Sequence, residues 1–177
     1  IAKISKKYGA EVPFMRPKIL SNDTAVDRQV MQHFLKFAKS NNYKINYLCY
    51  LYPVNPLIKI NTLNRCFKTL KFSKCDSVTT ISKILSPVER SILKNNKGYI
   101  FHKFPNLAKK NKNKRTQDIK TTYQNAGQCS WYNIKKIKNW NKISVRGVEL
   151  NRFEFVDVDN KEDLKILTKI YQNKLHK

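Results

Sequence analysis

Two carboxylates, Asp157 and Asp159, close the apolar lead of "FEFVDVDNKEDL", residues 153–164, in a chain whose formal charge is +24. Along an extended strand, side chains two apart share a face, with roughly 7 Å between their Cα atoms. Both carboxylates can therefore converge on one ion. All-oxygen ligation selects a hard cation, Mg²⁺ or Mn²⁺, which keeps several waters and takes further ligands from substrate phosphate. The same D-x-D reads equally well as a turn and a helix N-cap, and spacing does not choose between them. A second polar set, "KRTQDIKTTYQNAGQ" at 114–128, holds Arg115, Gln117, Tyr123, Asn125 and Gln128 beside a glycine. Arg suits a carboxylate or phosphate, while Asn, Gln and Tyr suit hydroxyls and amides. That is equipment for an acidic sugar, or else a polar surface loop. A third stretch, "GAEVPFMRP", taken alone is a helix stop and a strand ending in an exposed Arg16.

The elements that must position these groups alternate between helix and strand. Ile1, Ile4 and Tyr8 follow helical spacing from the first position, and Gly9 is a good stop. "AEVPFM" is expected as a short strand, and 26–39 as a helix presenting Val30, Phe34, Phe37 and Ala38 on one face. "INYLCYL", 45–51, is nearly continuously apolar, the mark of a strand buried on both sides. Pro53 and Pro56 delay the next helix to about Ile60, and it runs to 71. Strands are expected at 76–82, in "NKGYIFHKF", in "AGQCSWYNI" and at Arg152–Val158. A last helix from about Lys161 is capped by Asn160, with Asp163 completing a capping box. This order implies an α/β fold, a sheet with helices on both faces, whose ligands sit at the carboxyl ends of its strands. The "YPVNP" turn and the Asp pair both fall at such ends.

A length of 177 residues suits one domain. No apolar run approaches a membrane span, and no signal-peptide pattern opens the chain. Of 36 basic residues 29 are Lys and 7 Arg, accompanied by 19 Asn and 16 Ile. That bias is what AT-rich coding supplies, and the Lys are spread along the chain. Nucleic-acid readers cluster their basic groups and rely on Arg. Cys49 and Cys129 stand in apolar context as buried thiols, which favours a reducing cytoplasm. The histidines, His33, His102 and His176, lack metal-ligand spacing.

"KKYGAEVPFMRPKILSND", "RTQDIKTTYQNAGQCSW" and "FVDVDNKEDL" together resemble, in order and spacing, the CMP-sugar (acylneuraminate-type) cytidylyltransferases, most of all their pseudaminic acid branch. The resemblance covers nearly the whole chain. It implies a Rossmann-like nucleotidyltransferase fold with a mixed sheet. It implies Mg²⁺-dependent reaction of CTP with a nine-carbon sugar acid, in the cytoplasm, for surface glycan synthesis. Asp157 and Asp159 match the family's metal-binding aspartates. Arg16 matches an arginine near the active site, and Arg115, Gln117, Tyr123 and Asn125 match the sugar-facing part. Gln128 joins them by proximity. "YPVNPL" stands where sialic acid relatives carry a QPTSPL-like segment; Tyr52, Val54 and Asn55 depart from it, and only Asn55 is carried as a substrate-binding candidate.

The family's N-terminal loop, a small-residue stretch with an Arg and a Ser-Lys pair that cradles the nucleotide, has no counterpart here. The expectation is a single nucleotidyltransferase domain, 1–177, lacking its N-terminal part and inactive by itself, with its sheet edge uncovered. By the same resemblance the protein is a homodimer, with 99–135 the dimerisation and sugar-binding segment, and binds neither nucleic acid nor membrane. Synthetases for sialic, legionaminic or deoxy-octulosonic acid are the alternatives within the chemistry. Outside it stand a basic nucleic-acid-binding module and an inactive relative serving in assembly.

Overall fold

The computed structural model describes residues 1–175; His176 lies outside them. The chain forms two compact units, Ile1–Asn46 and Tyr47–Lys177.

In the first unit, α1 (Ala2–Lys7) ends at Gly9, whose φ of +85° is the left-handed turn that glycine accepts without strain. α2 (Asp27–Ser40) begins where Gln29 Oε1 accepts the Val26 N–H at 3.2 Å, and it buries Met31 and Ala38. The expected strand at "AEVPFM" does not form, because those residues find no ladder partner. Phe14 holds the segment instead, its ring 4.9 Å from His33 and 4.7 Å from Phe37.

The second unit carries the sheet. β1 (Tyr47–Leu51) leads through the proline turn into α3 (Ile60–Phe72) and back into β2 (Ser77–Lys83). A two-stranded ribbon, β3 (Ile92–Lys94) and β4 (Ile100–His102), precedes the short helix α4 (Pro105–Lys110). β5 (Tyr123–Asn133), β6 (Val145–Glu149) and α5 (Lys161–Leu175) complete the unit. The order across the main sheet is β1-β5-β2-β6. β5 runs antiparallel to β1 and β2, while β6 runs parallel to β2. The fold is α/β with a mixed, Rossmann-like sheet. α3 covers the sheet with Cys66 and Leu70, fully buried against Val78, Cys129 and Val148. Asp76 fixes where the parallel pair begins: its Oδ2 accepts the Ser144 N–H and hydroxyl, each at 2.8 Å.

Three strand expectations need correction. The 45–51 run forms an edge strand, with only its middle half-buried. Its apolar length therefore does not mark a doubly covered position. Arg152–Val158 forms no strand; it is an irregular segment held by side chains. "NKGYIFHKF" yields only Ile100–His102, paired with a strand at 92–94 that the sequence did not announce. β6 was also unannounced.

Candidate active site

Because β5 is antiparallel to its neighbours, its first residues lie at the carboxyl ends of β1 and β2. Tyr123, Gln124 and Asn125 face Lys83, Ser82 and Ile81. Beyond them the register slips between Thr79 and Ile81, and β5 bulges. Gly127 within the bulge has φ +58°. Asn125 Oδ1 accepts the Gly127 N–H at 3.0 Å, and the Thr80 hydroxyl oxygen accepts the Cys129 N–H at 3.4 Å. These bonds replace ladder bonds that the bulge breaks.

Three motifs distant in sequence meet on this bulge. Asn55, from the proline turn, donates through Nδ2 to the Gly127 carbonyl at 2.7 Å. The Tyr52 N–H donates to the Gln128 carbonyl at 3.2 Å. A Cβ at Gly127 would lie 3.7 Å from Asp157 Oδ1, so this carboxylate rests against the glycine. The segment carrying Asp157 is pinned from two directions. Gln128 Nε2 donates to the Glu154 carbonyl, and the Glu154 carboxylate pairs with Lys59 at 3.1 Å. The Asn151 N–H, first, and the Lys59 ammonium hold the Glu154 carboxyl below its ordinary range, against a smaller opposing effect of burial. After Asp157 the exposure alternates: Asp157 and Asp159 are exposed and Val158 half-buried.

The turn-and-cap reading of the D-x-D stretch is visible in the structure. The cap exists: Asn160 Oδ1 accepts the Glu162 and Asp163 N–H groups at 2.8 and 3.0 Å, and Asp163 Oδ2 accepts the Asn160 and Asp159 N–H groups at 3.1 Å. The cap employs Asn160 and Asp163, not the carboxylates of Asp157 and Asp159. Among the described residues no group of three or more His, Cys, Asp or Glu side chains could enclose a metal. Two exposed carboxylates fit a hard divalent ion that fills its shell with water and phosphate oxygens, and do not fit a caged metal.

A cavity of about 640 Å³ opens beside Asp157, bounded by the end of β2, Gln124, the 152–157 segment and α5. A smaller one of about 220 Å³ lies across the Lys83–Leu85 wall, lined by Gln117 among others. Of the expected residues, the structure gathers Asp157, Asn55, Asn125 and Gln128 around the bulge. Gln117 lines the second cavity and Tyr123 stands beside Lys83. Asn125 and Asn55 spend bonds on the turn itself. Gln128 is 1% exposed and acts from inside, with Oε1 buried and unpartnered. Arg115 starts the short turn Thr116–Asp118 and lines neither cavity. The Arg90 side chain braces that turn through Thr116 Oγ1, 2.9 Å, and the Lys114 carbonyl. Arg16 belongs to the first unit, where its Nε donates to Ser21 Oγ at 3.2 Å. Sequence reasoning missed Lys83, Gln124 and Arg152 as cavity residues. Arg152 stood in plain view one residue before "FEFVDVD".

A Rossmann-like mixed sheet with polar groups gathered at the carboxyl ends of its parallel strands is the class of α/β protein that receives ligands at that rim. No family model matches the chain. It is 34% identical over 160 residues to a Helicobacter pylori protein, pseudaminic acid cytidylyltransferase and UDP-2,4-diacetamido-2,4,6-trideoxy-beta-L-altropyranose hydrolase, covering 88% of this chain and 29% of that one. It is 28% identical over 129 residues to pseudaminic acid cytidylyltransferases of two Campylobacter jejuni strains, covering 72% of this chain and 53% of each relative. These matches support a relationship to the CMP-sugar cytidylyltransferase family, and the chain spans about half the length of the Campylobacter relatives. No helix among the described residues is long and apolar enough to cross a membrane.

Proposed function

We propose that this chain is the acid-bearing part of a cytidylyltransferase that joins CMP from CTP to a nine-carbon sugar acid, pseudaminic acid, releasing pyrophosphate. The anomeric hydroxyl attacks the α-phosphorus of CTP. A bond forms from sugar oxygen to phosphorus, the bond to the β-phosphate oxygen breaks, and pyrophosphate leaves with that electron pair as the hydroxyl proton is released. Asp157 and Asp159 would hold a divalent ion such as Mg²⁺, which neutralises triphosphate charge when bound. The Asp157 carboxylate rests beside Gly127, while Asn55 and Gln128 hold the turn and the segment on either side of it.

The observation that carries this reading is the meeting of three motifs at Gly127. "YPVNP", "QNAGQ" and the D-x-D segment are far apart in sequence, and nothing in a merely structural loop requires them to converge. The exposed apolar ribbon, with Ile92, Tyr99, Ile100 and Phe101 all at least half exposed, supports a homodimer formed through this segment. A monomeric mass in solution would count against that part.

The test is pyrophosphate release by the intact protein with CTP and a panel of sugar acids. Pseudaminic acid is expected to be turned over, and Asp157→Asn to lose at least about a hundred-fold in kcat with its circular dichroism unchanged. Normal turnover by that variant would overturn the assignment.

A further inference from the structure

Asp157 and Asp159 stand on a stretch that does little to hold itself. Phe155, Val156, Asp157 and Val158 make no hydrogen bond among the described residues. Their place is set at the two ends, by side chains that lie outside the D-x-D pair. Before the pair, the chain is tied down over 149–154. The Arg65 guanidinium on α3 donates to the Glu149 carbonyl at 2.7 Å, and the Leu150 N–H donates to the Ile81 carbonyl at 2.8 Å. Gln128, 1% exposed on β5, then donates from Nε2 to the Glu154 carbonyl. Its own backbone carbonyl accepts the Tyr52 N–H at 3.2 Å, so the donor sits on a fixed strand. After the pair, Asp163 Oδ2 accepts the Asp159 and Asn160 N–H groups, each at 3.1 Å. Asp163 is half-buried in the first turn of α5, where Asn160 Oδ1 accepts its N–H at 3.0 Å.

Two carboxylates close together repel one another, and a stretch without bonds of its own lets them part. An ion that has to gather loose ligands binds more weakly than one that meets ligands already in place. Resting on the proposed reaction, we infer that Gln128 and Asp163 are positioning residues that hold Asp157 and Asp159 for the divalent ion. Gln128 acts through the Glu154 carbonyl, upstream of Asp157, and Asp163 acts through the Asp159 amide. Neither is a ligand: the Gln128 carboxamide is enclosed, and the Asp163 oxygen that does the holding is engaged by two N–H groups. What Asp163 contributes is an acceptor oxygen, which an amide supplies as well as a carboxylate.

The experiment is a paramagnetic Mn²⁺ titration of the intact protein with CTP, joined to turnover measured against Mn²⁺ concentration. Asp163→Ala and Gln128→Met are each expected to weaken Mn²⁺ binding about ten- to a hundred-fold, as when the partner behind a metal ligand is removed. The Mn²⁺ needed for half-maximal rate rises by the same factor, while KM for the sugar acid is unchanged. Asp163→Asn, which keeps the acceptor oxygen and drops the charge, recovers most of the loss. Should Gln128→Met fail to fold, the two Asp163 variants decide alone. Wild-type Mn²⁺ affinity in Asp163→Ala overturns the assignment and leaves the reaction standing. Asp163→Asn as weak as Asp163→Ala also overturns it, since Asp163 would then act by its charge. A wild-type protein that binds no Mn²⁺ with CTP removes the metal reading of Asp157 and Asp159 and this inference together, so the failures are distinct.

Discussion

Gly127 and Asn55 carry the geometry of the site at the scale of single residues. At φ +58° an L side chain costs about 1–2 kcal/mol, whereas the new Cβ would meet Asp157 at an ordinary 3.7 Å. Gly127→Ala should therefore lower stability by about that amount through backbone strain, not through a clash. Asn55→Ala removes the 2.7 Å bond to the Gly127 carbonyl and should cost about 1 kcal/mol. Urea unfolding measures both, and a Gly127→Ala protein as stable as wild type would contradict the left-handed turn. Glu154 gives a pH signature. Its folded carboxyl lies below the ordinary 4.5, so its contribution is complete above that pH and is lost as pH falls through the folded value. The urea midpoint should drop more steeply below about pH 4.5 in wild type than in Glu154→Gln. Equal slopes would show that Glu154 does not hold the 151–157 segment.

The parallel contact of β2 with β6 sets the element scale. A Cβ at Gly147 would collide with the Ile81 side chain, touching Cδ1 and approaching Cγ1 at 3.0 Å. Ile81 must then shift within a packed sheet, and Gly147→Ala should destabilise by about 1–3 kcal/mol. Chemical denaturation reads this directly, and an unchanged midpoint would mean that the strands are not in this register. Helices were legible in the sequence because their apolar spacing and stop signals are local. Gly9, the Asn160–Asp163 cap and the proline delay before Ile60 all appear where those rules put them. Strands were harder, since a strand exists only if it finds a partner. "AEVPFM" and Arg152–Val158 have strand-like composition and no ladder, whereas Ile92–Lys94 has little pattern and one. The burial of "INYLCYL" was overestimated because apolar content does not reveal whether a neighbour covers the face. Asp157 was expected at the end of a strand, and the structure sets it beside Gly127 on an irregular segment. The inward role of Gln128 and the cavity role of Arg152 were not legible, because both depend on how an irregular segment folds back across the sheet.

At the scale of the whole molecule, the charge of +24 is spread over the chain and is not gathered at the site. Around the Gly127 bulge the structure gathers Asp157, Asn55, Asn125 and Gln128. The thiols follow the core. Cys66 and Cys129 are buried and share a hydrogen bond. Burial, with Cys66 nearby, pushes Cys49 up to about 11. Thiolate formation at Cys49 is therefore disfavoured at neutral pH. What the second unit brings together at the sheet rim is Asp157, the Gly127 bulge and a cavity of about 640 Å³. The most direct measurement is a paramagnetic titration of the intact protein with Mn²⁺ in the presence of CTP, comparing wild type with Asp157→Asn and Asp159→Asn. The account predicts a saturable site in wild type that each substitution weakens at least about ten-fold, as expected when a hard cation loses a carboxylate ligand. Identical Mn²⁺ and CTP binding by all three proteins would contradict it.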